Sequence, residues 1–255
     1  MKKIAIIIPA RYGSTRLPAK PLLKVNDKPI IQYVVEAAKK SKYATEVIVA
    51  TDDIRIKEAV EAFNGTAEMT STEHKCGSDR IAEVLNRHPE FDYISNLQGD
   101  EPQITPEVID LAISTLINDN DVDISTLVRK ITSSEQINNP NCVKCVFYIN
   151  NYALYFSRCP IPYPRNENQA DYYAHIGIYG YKKSSLIKMT QLPQADLEKQ
   201  ESLEQLRALK YRMKIKVGIT TLNPTGIDTI EDYEKFKKII EGWFYKSTLF
   251  ILDFL

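Results

Sequence analysis

The sequence predicts an α/β protein built on a mixed, mostly parallel sheet flanked by helices. Two observations carry that prediction. Short β-rich apolar runs alternate with helical patterns through the first half of the chain, the rhythm of βαβ units. Later strand-like runs follow one another with fewer helices between them, so some strands extend the sheet or pair antiparallel to it. In order, residues 4–8 (Ile-Ala-Ile-Ile-Ile) read as a buried first strand and 30–40 as a helix. Strand 47–50 precedes helix 54–63, and strand 93–97 precedes helix 106–117. Runs at 124–128, 143–149, 153–156 and 176–181 are the later strands. A charged helical stretch at 196–212, a strand at 215–220 and an amphipathic helix at 230–240 complete the pattern. With no internal repeat and no linker-like segment, residues 1–242 read as one domain. In such a sheet the loops at the strand carboxyl ends gather into one crevice, which is where a site is sought.

Composition narrows the function classes. The chain has 255 residues, 44% of them hydrophobic, enough for a sizeable core. Its 33 Lys plus Arg balance 33 Asp plus Glu, so no global field draws it onto nucleic acid or an acidic membrane, and any anion site must be local. Charged residues at 26% with zero net charge argue against disorder. Cys76, Cys142, Cys145 and Cys159 follow no credible secretory signal and are expected as free thiols in a cytoplasmic protein. No stretch approaches the roughly 20 apolar residues of a spanning helix. The apolar extension 243–255 has no basic face, so packing on its own domain or on a partner subunit is expected ahead of membrane contact.

Several familiar motifs are missing or misleading. No G-x-G-x-x-G follows the first strand, and neither G-x-x-x-x-G-K-[ST] nor H-E-x-x-H occurs. Cys142-x-x-Cys145 sits in an apparent strand, where residues three apart point to opposite faces. Asn64-Gly65-Thr66 reads as a turn before a strand. Asp121-Val122-Asp123 resembles a glycosyltransferase D-x-D, but it precedes the strand at 124–128 and so lies away from the crevice.

The chemistry concentrates after the first strand. Pro9-Ala10-Arg11-Tyr12-Gly13-Ser14-Thr15-Arg16-Leu17-Pro18-Ala19-Lys20-Pro21 carries three cations, a glycine and two hydroxyls between a strand and a helix. Gly13 permits tight turns with N–H groups facing an anion, and Arg11, Arg16 and Lys20 can neutralise a triphosphate. On composition alone the stretch is equally a basic surface loop. Asp100, in Gln98-Gly99-Asp100-Glu101-Pro102 after the strand 93–97, projects toward the same crevice as an oxygen ligand for Mg²⁺, or else caps a β-turn. Asp228 precedes the last helix, where Asp228-Thr229-Ile230-Glu231 reads as a capping box. Gly77-Ser78-Asp79-Arg80 opens a helix with Ser78 as its N-cap.

These blocks together resemble the sugar nucleotidyltransferases, and among them the 3-deoxy-manno-octulosonate (Kdo) cytidylyltransferases. The resemblance continues in Ala50-Thr51-Asp52-Asp53, Asn141-x-Val143-Lys144, Ala153-Leu154-Tyr155-Phe156-Ser157-Arg158, His175-Ile176-Gly177-Ile178-Tyr179-Gly180-Tyr181, Leu203-Glu204-Gln205-Leu206-Arg207 and Gly226-Ile227-Asp228-Thr229, in order over about residues 4 to 240. It implies a Rossmann-like nucleotide-diphospho-sugar transferase fold, with a sugar-binding and dimerisation portion inserted at about 129–213. It implies that Arg11, Ser14, Thr15, Arg16, Lys20, Gly77, Ser78 and Arg80 bind CTP, that Asp100 and Asp228 hold Mg²⁺, and that Arg11, Arg16, Lys20, Asp100 and Asp228 carry catalysis. Gln98, Arg158, His175, Tyr179, Glu204 and Gln205 are implied as contacts of the sugar acid. Without the resemblance, His175 and Tyr179 pass as strand core, and Glu204 and Gln205 as a solvated helix surface. Cys76 stands where the family has Ser, and Ser78 where Thr is usual. The implied reaction joins CMP from CTP to the anomeric 2-hydroxyl of Kdo for lipopolysaccharide assembly, releasing pyrophosphate, in a cytoplasmic homodimer that binds neither nucleic acid nor membrane.

Overall fold

The computed structural model describes residues 2–13, 17–166 and 170–252, with side chains described as far as residue 242. In chain order, β1 (Ile4–Ala10) leads through the short hairpin of β2 (Lys24–Val25) and β3 (Lys28–Pro29) into α1 (Ile30–Lys39). Then come β4 (Glu46–Thr51), α2 (Ile54–Ala62), β5 (Thr66–Met69), α3 (Gly77–Arg87), β6 (Tyr93–Asn96) and α4 (Pro106–Ile117). The second half holds β7 (Ile124–Lys130), α5 (Ser134–Asn138), β8 (Lys144–Phe147), β9 (Ala153–Ser157), β10 (Tyr173–Lys182), α6 (Lys183–Gln191), α7 (Asp196–Glu201), α8 (Gln205–Lys210), β11 (Ile215–Ile219) and α9 (Ile230–Leu252).

The main sheet runs β11-β7-β10-β6-β1-β4-β5. Within it β10 is antiparallel to both neighbours, and the other adjacent pairs are parallel. The mixed, mostly parallel sheet is therefore as the sequence predicts. The β8–β9 hairpin joins the edge of β10 through Ala174 opposite Lys144. Because β10 lies between β6 and β7, the 129–213 stretch contributes a central strand to the sheet itself. Helices cover both faces, which is why β1 is apolar throughout. Ala5 and Ile7 enter a core with Ile81, Leu85 and Leu186, whereas Ile4, Ile6 and Ile8 enter another with Val34, Ile56 and Ile109.

Three helical assignments need correction. The stretch expected as one helix at 196–212 is two, α7 and α8, separated at Ser202, which is left-handed (φ 51°). No Gly or Pro marks that break. Between β10 and α7, the sequence reading passed over α6, whose Leu186 and Met189 are buried. The last helix reaches Leu252 instead of ending near 240. What the side chains of the apolar extension pack against lies outside the described residues. All four cysteines are free thiols. Asp123, of the D-x-D decoy, accepts bonds from Ser185 Oγ (3.1 Å) and the Lys214 N–H (2.8 Å) at the amino end of β7, a structural turn far from the carboxyl ends.

The C-terminal helix is docked where it matters for the site. Phe236 packs edge-on to Tyr33 of α1 (5.3 Å, 87°), and the Tyr233 hydroxyl donates to the Lys24 carbonyl (2.7 Å). Phe236, Ile227, Val25, Ile30 and Leu17 form a small separate core. That core ties the end of the chain to the loop that follows β1.

Candidate active site

The carboxyl ends of β1 and β6 and the start of α3 enclose a cleft of about 310 Å³, lined among others by Arg11, Lys20, Lys75, Gly77, Arg80, Gln98, Asp100 and Asp228. Gly99 is required where the loop after β6 crosses β1: a Cβ there would lie 3.1 Å from the Pro9 carbonyl oxygen and 3.2 Å from Ile31 Cδ1. Asp100 follows at once. From the far end of the sequence, the Ile227 N–H donates to the Asp100 carbonyl (2.8 Å) and lays Asp228 beside it. Lys20 Nζ then donates to Asp100 Oδ2 (2.5 Å) and Asp228 Oδ1 (3.2 Å), with Lys20 itself only 8% exposed. Residues 20, 100 and 228 thus meet at one point.

The Asp228 carboxylate that meets Lys20 does not cap the helix. The capping box is shifted by one residue from the expected Asp228–Glu231. Thr229 Oγ1 accepts from the Asp232 N–H (3.2 Å), and Asp232 Oδ2 accepts from the N–H groups of Thr229 (3.1 Å) and Asp228 (3.2 Å). Asp100 likewise does not cap its turn, since its carboxylate turns to Lys20. Its neighbour Glu101 has an oxygen, Oε2, sealed from solvent with no partner among the described residues. Burial, helped by Asp100 and Asp228, pushes the Glu101 carboxyl up to about 8.

The cations of the cleft differ in how they are compensated. Arg80 is held by Asp52 (2.7 Å) and Thr70 Oγ1 (2.5 Å), so its guanidinium braces the wall while still bordering the cavity. Arg11 and Lys75 border the cavity and make no ion pair with other described residues. His74 also lines it, with Nε2 2.5 Å from Glu83 Oε2. The sequence reading missed His74, Lys75 and Glu101. Their one signal was adjacency, since His74 and Lys75 precede the Gly77 block and Glu101 follows Asp100. Ser14, Thr15 and Arg16 lie outside the described residues.

The residues implied for the sugar acid spread from this cleft along β10. Gln98 borders the cavity and donates to Asn96 Oδ1 (3.1 Å), and Asn96 stands opposite Tyr179 in the sheet. Tyr179 lies 5.4 Å from His175, ring to ring. The register of β10 against β7 shifts between Ile176 and Tyr179, and Thr126 Oγ1 fills the irregularity, within bonding distance of the carbonyls of Ile178 (2.8 Å) and Ile176 (3.1 Å). With the hydroxyl proton directed to those carbonyls, His175 Nε2–H donates to Thr126 Oγ1 (2.9 Å) and Nδ1 remains an acceptor. Burial pushes the His175 imidazole down to about 4, so it is neutral at pH 7. Burial also raises the Tyr179 hydroxyl, which stays protonated.

Ser78, Glu204 and Gln205 depart from their expected surroundings. Ser78 is not an N-cap: Cys76 holds that position, and Ser78, 1% exposed, donates to Glu204 Oε2 (2.8 Å). Glu204 and Gln205 are not a solvated surface, since Gln205 is 5% exposed. Arg158 lies at the end of β9 and does not border the cavity. Its guanidinium donates to the carbonyls of Glu201 (2.7 Å), Pro140 (3.0 Å) and Ser202 (3.4 Å), which engages three of its five N–H groups and holds the fork rigid.

The family model for Cytidylyltransferase matches residues 5–215. The 3-deoxy-manno-octulosonate cytidylyltransferase of Thermodesulfovibrio yellowstonii is 50% identical over 250 residues, spanning 93% of this chain and 98% of that protein. An 8-amino-3,8-dideoxy-manno-octulosonate cytidylyltransferase of Shewanella baltica is 44% identical over 235 residues, covering 91% and 96% of the two chains. Among solved structures, a CMP:2-keto-3-deoxy-manno-octonic acid synthetase complexed with CTP superposes with a TM-score of 0.91 at 43% identity, over 94% of this chain and 99% of that one.

Proposed function

The chain belongs to the 3-deoxy-manno-octulosonate cytidylyltransferase family, and from that premise we infer that it transfers CMP from CTP to the anomeric 2-hydroxyl of Kdo for lipopolysaccharide assembly. The observation that carries this reading is the meeting of Lys20, Asp100 and Asp228 beside Arg11, which pairs with no acid among the described residues, at the carboxyl ends of the central strands. In the reaction a bond forms from the sugar oxygen to the α-phosphorus, and the bond from that phosphorus to the bridging oxygen breaks. Pyrophosphate leaves with the electron pair, and the proton of the sugar hydroxyl passes to solvent. Charge builds on phosphate oxygens, so fixed cations are what the site must supply. Arg11 offers a planar fork to two oxygens at once, and Lys75, which also borders the cleft, offers a point charge. Lys20 bridges its two carboxylates and keeps both aimed into the cleft.

We propose that Asp100 and Asp228 hold Mg²⁺. The donor set fits: two hard carboxylates converge on one cation's space. Among the described residues no set of three or more His, Cys, Asp or Glu converges, so the remaining ligands would come from phosphate and water. A bound Mg²⁺ supplies charge neutralisation at the phosphates and lowers the pKa of a coordinated hydroxyl. On the acceptor side, neutral His175 offers Nδ1 to a sugar hydroxyl, and Gln98 offers an amide at the border of the cavity. The resemblance also supports a homodimer acting in the cytoplasm; among the described residues no helix is long and apolar enough to cross a membrane.

The test is pyrophosphate release with Mg²⁺, comparing CTP with UTP, GTP and ATP, and Kdo with its 8-amino analogue. We expect release with CTP and Kdo, lowered about 10²- to 10³-fold in Asp100→Asn. Release with the 8-amino sugar alone would keep the nucleotide half of the reading and replace the acceptor with that of the Shewanella baltica relative. Absence of release under every pairing would overturn the activity.

A further inference from the structure

We infer that Ser78 and Cys76 are positioning residues for the acceptor side of the site: together they clamp the carboxylate of Glu204 and so fix the first turn of α8. The inference rests on the proposed acceptor pocket and adds residues to it. Ser78 Oγ donates to Glu204 Oε2 (2.8 Å) and Cys76 Sγ donates to Oε1 (3.2 Å), so each carboxylate oxygen takes a donor from the start of α3. Burial and the Glu204 charge raise the Cys76 thiol, which stays protonated and able to donate. Arg207 approaches Glu204 Oε1 from behind (3.8 Å) and is itself fixed by Glu198 (2.5 and 2.9 Å).

What the clamp positions is the residue after Glu204. The chain breaks direction at Ser202, and the turn that follows is held by the Leu203 N–H bond to the Glu198 carbonyl (3.2 Å), by the buried Leu203 and Leu206, and by the two hydrogen bonds from α3 to Glu204. Gln205 is 95% removed from solvent, yet its Nε2 has no hydrogen-bond partner among the described residues. A buried amide without an acceptor is costly, and a hydroxyl or carboxylate oxygen of a polyhydroxylated sugar acid would satisfy it. The same short turn thus has two sides. Lys75, Cys76 and Gly77 border the nucleotide cleft, whereas Ser78 does not, and its side chain, with the Cys76 thiol, reaches across to α8. This differs from the role in CTP binding that the resemblance implies for Ser78.

Initial-rate kinetics with CTP and acceptor varied in turn separate the two roles, using wild type, Ser78→Ala, Ser78→Thr and Cys76→Ala. The acceptor is whichever of Kdo and its 8-amino analogue the wild type uses. Stranding a carboxylate oxygen in Ser78→Ala should raise KM for the acceptor about tenfold, with KM for CTP within about twofold and the preference for CTP over UTP unchanged. Ser78→Thr should restore the wild-type value. Cys76→Ala, which removes the weaker donor, should show the same split to a smaller degree and serves if Ser78→Ala does not fold. A rise in KM for CTP, a loss of discrimination against UTP, or equal effects on both substrates would overturn the clamp. Wild-type protein inactive with both acceptors would instead overturn the function proposed above, before any variant is read.

Discussion

Lys20 and Lys75 border the same cleft, but the ammonium of Lys20 lies between two carboxylates whereas that of Lys75 meets no anion among the described residues. Sequence position pointed to Lys20, Arg11 and Asp100, because each follows a recognisable strand. It could not distinguish compensated from uncompensated charge, which depends on residues 80 to 208 positions away. The histidines show the same dependence on surroundings. Burial lowers His175 to about 4, so the unfolded chain takes up a proton near 6.5 that the folded protein refuses until lower pH. Its contribution to stability is therefore full above pH 6.5 and declines as pH falls toward 4. The Glu68 carboxylate, 2.5 Å away, raises His88, with a smaller contribution from Glu90, so the His88 contribution is full below pH 6.5 and is lost as pH rises through the elevated value. Melting temperatures across pH 4 to 8 should show a flatter acid limb in His175→Phe. In His88→Asn they should show a deficit at pH 6 that closes at higher pH.

The last helix shows how far an element can be read and where reading stops. A capping signal before an amphipathic run was legible, but Asp228-x-x-Glu231 and Thr229-x-x-Asp232 are both plausible boxes, offset by one residue. The structure selects the second. Asp232→Ala should cost about 1 kcal/mol in a urea titration, whereas Glu231→Ala should stay within about 0.5 kcal/mol of wild type. Equal losses would mean that Asp228 caps the helix after all. The break between α7 and α8 was not legible for a related reason. Ser202 adopts the left-handed conformation under tertiary constraint, with none of the Gly or Pro punctuation that a sequence reading relies on.

At the scale of the whole molecule, α9 connects packing to chemistry. Phe236 is buried in the small core that joins α9 to α1 and the β2–β3 hairpin, well outside the cleft. Phe236→Ala should destabilise the protein by about 3 to 5 kcal/mol. In the fraction that remains folded, it should also lower turnover about tenfold, because the displaced helix anchors the loop that carries Asp228. Unchanged kcat in folded protein would show that Asp228 is positioned by its own loop alone. By itself, the sequence determined the α/β class, the mostly parallel sheet and the family, because buried strands require continuous apolar runs and the family's motifs are local and ordered along the chain. Only the tertiary structure decided that Asp228 meets Asp100 across 128 residues, that Ser78 turns to Glu204, and that Lys20 is the cation placed between two carboxylates. Those outcomes depend on long-range packing and charge pairing, and neither leaves a periodic signal along the chain.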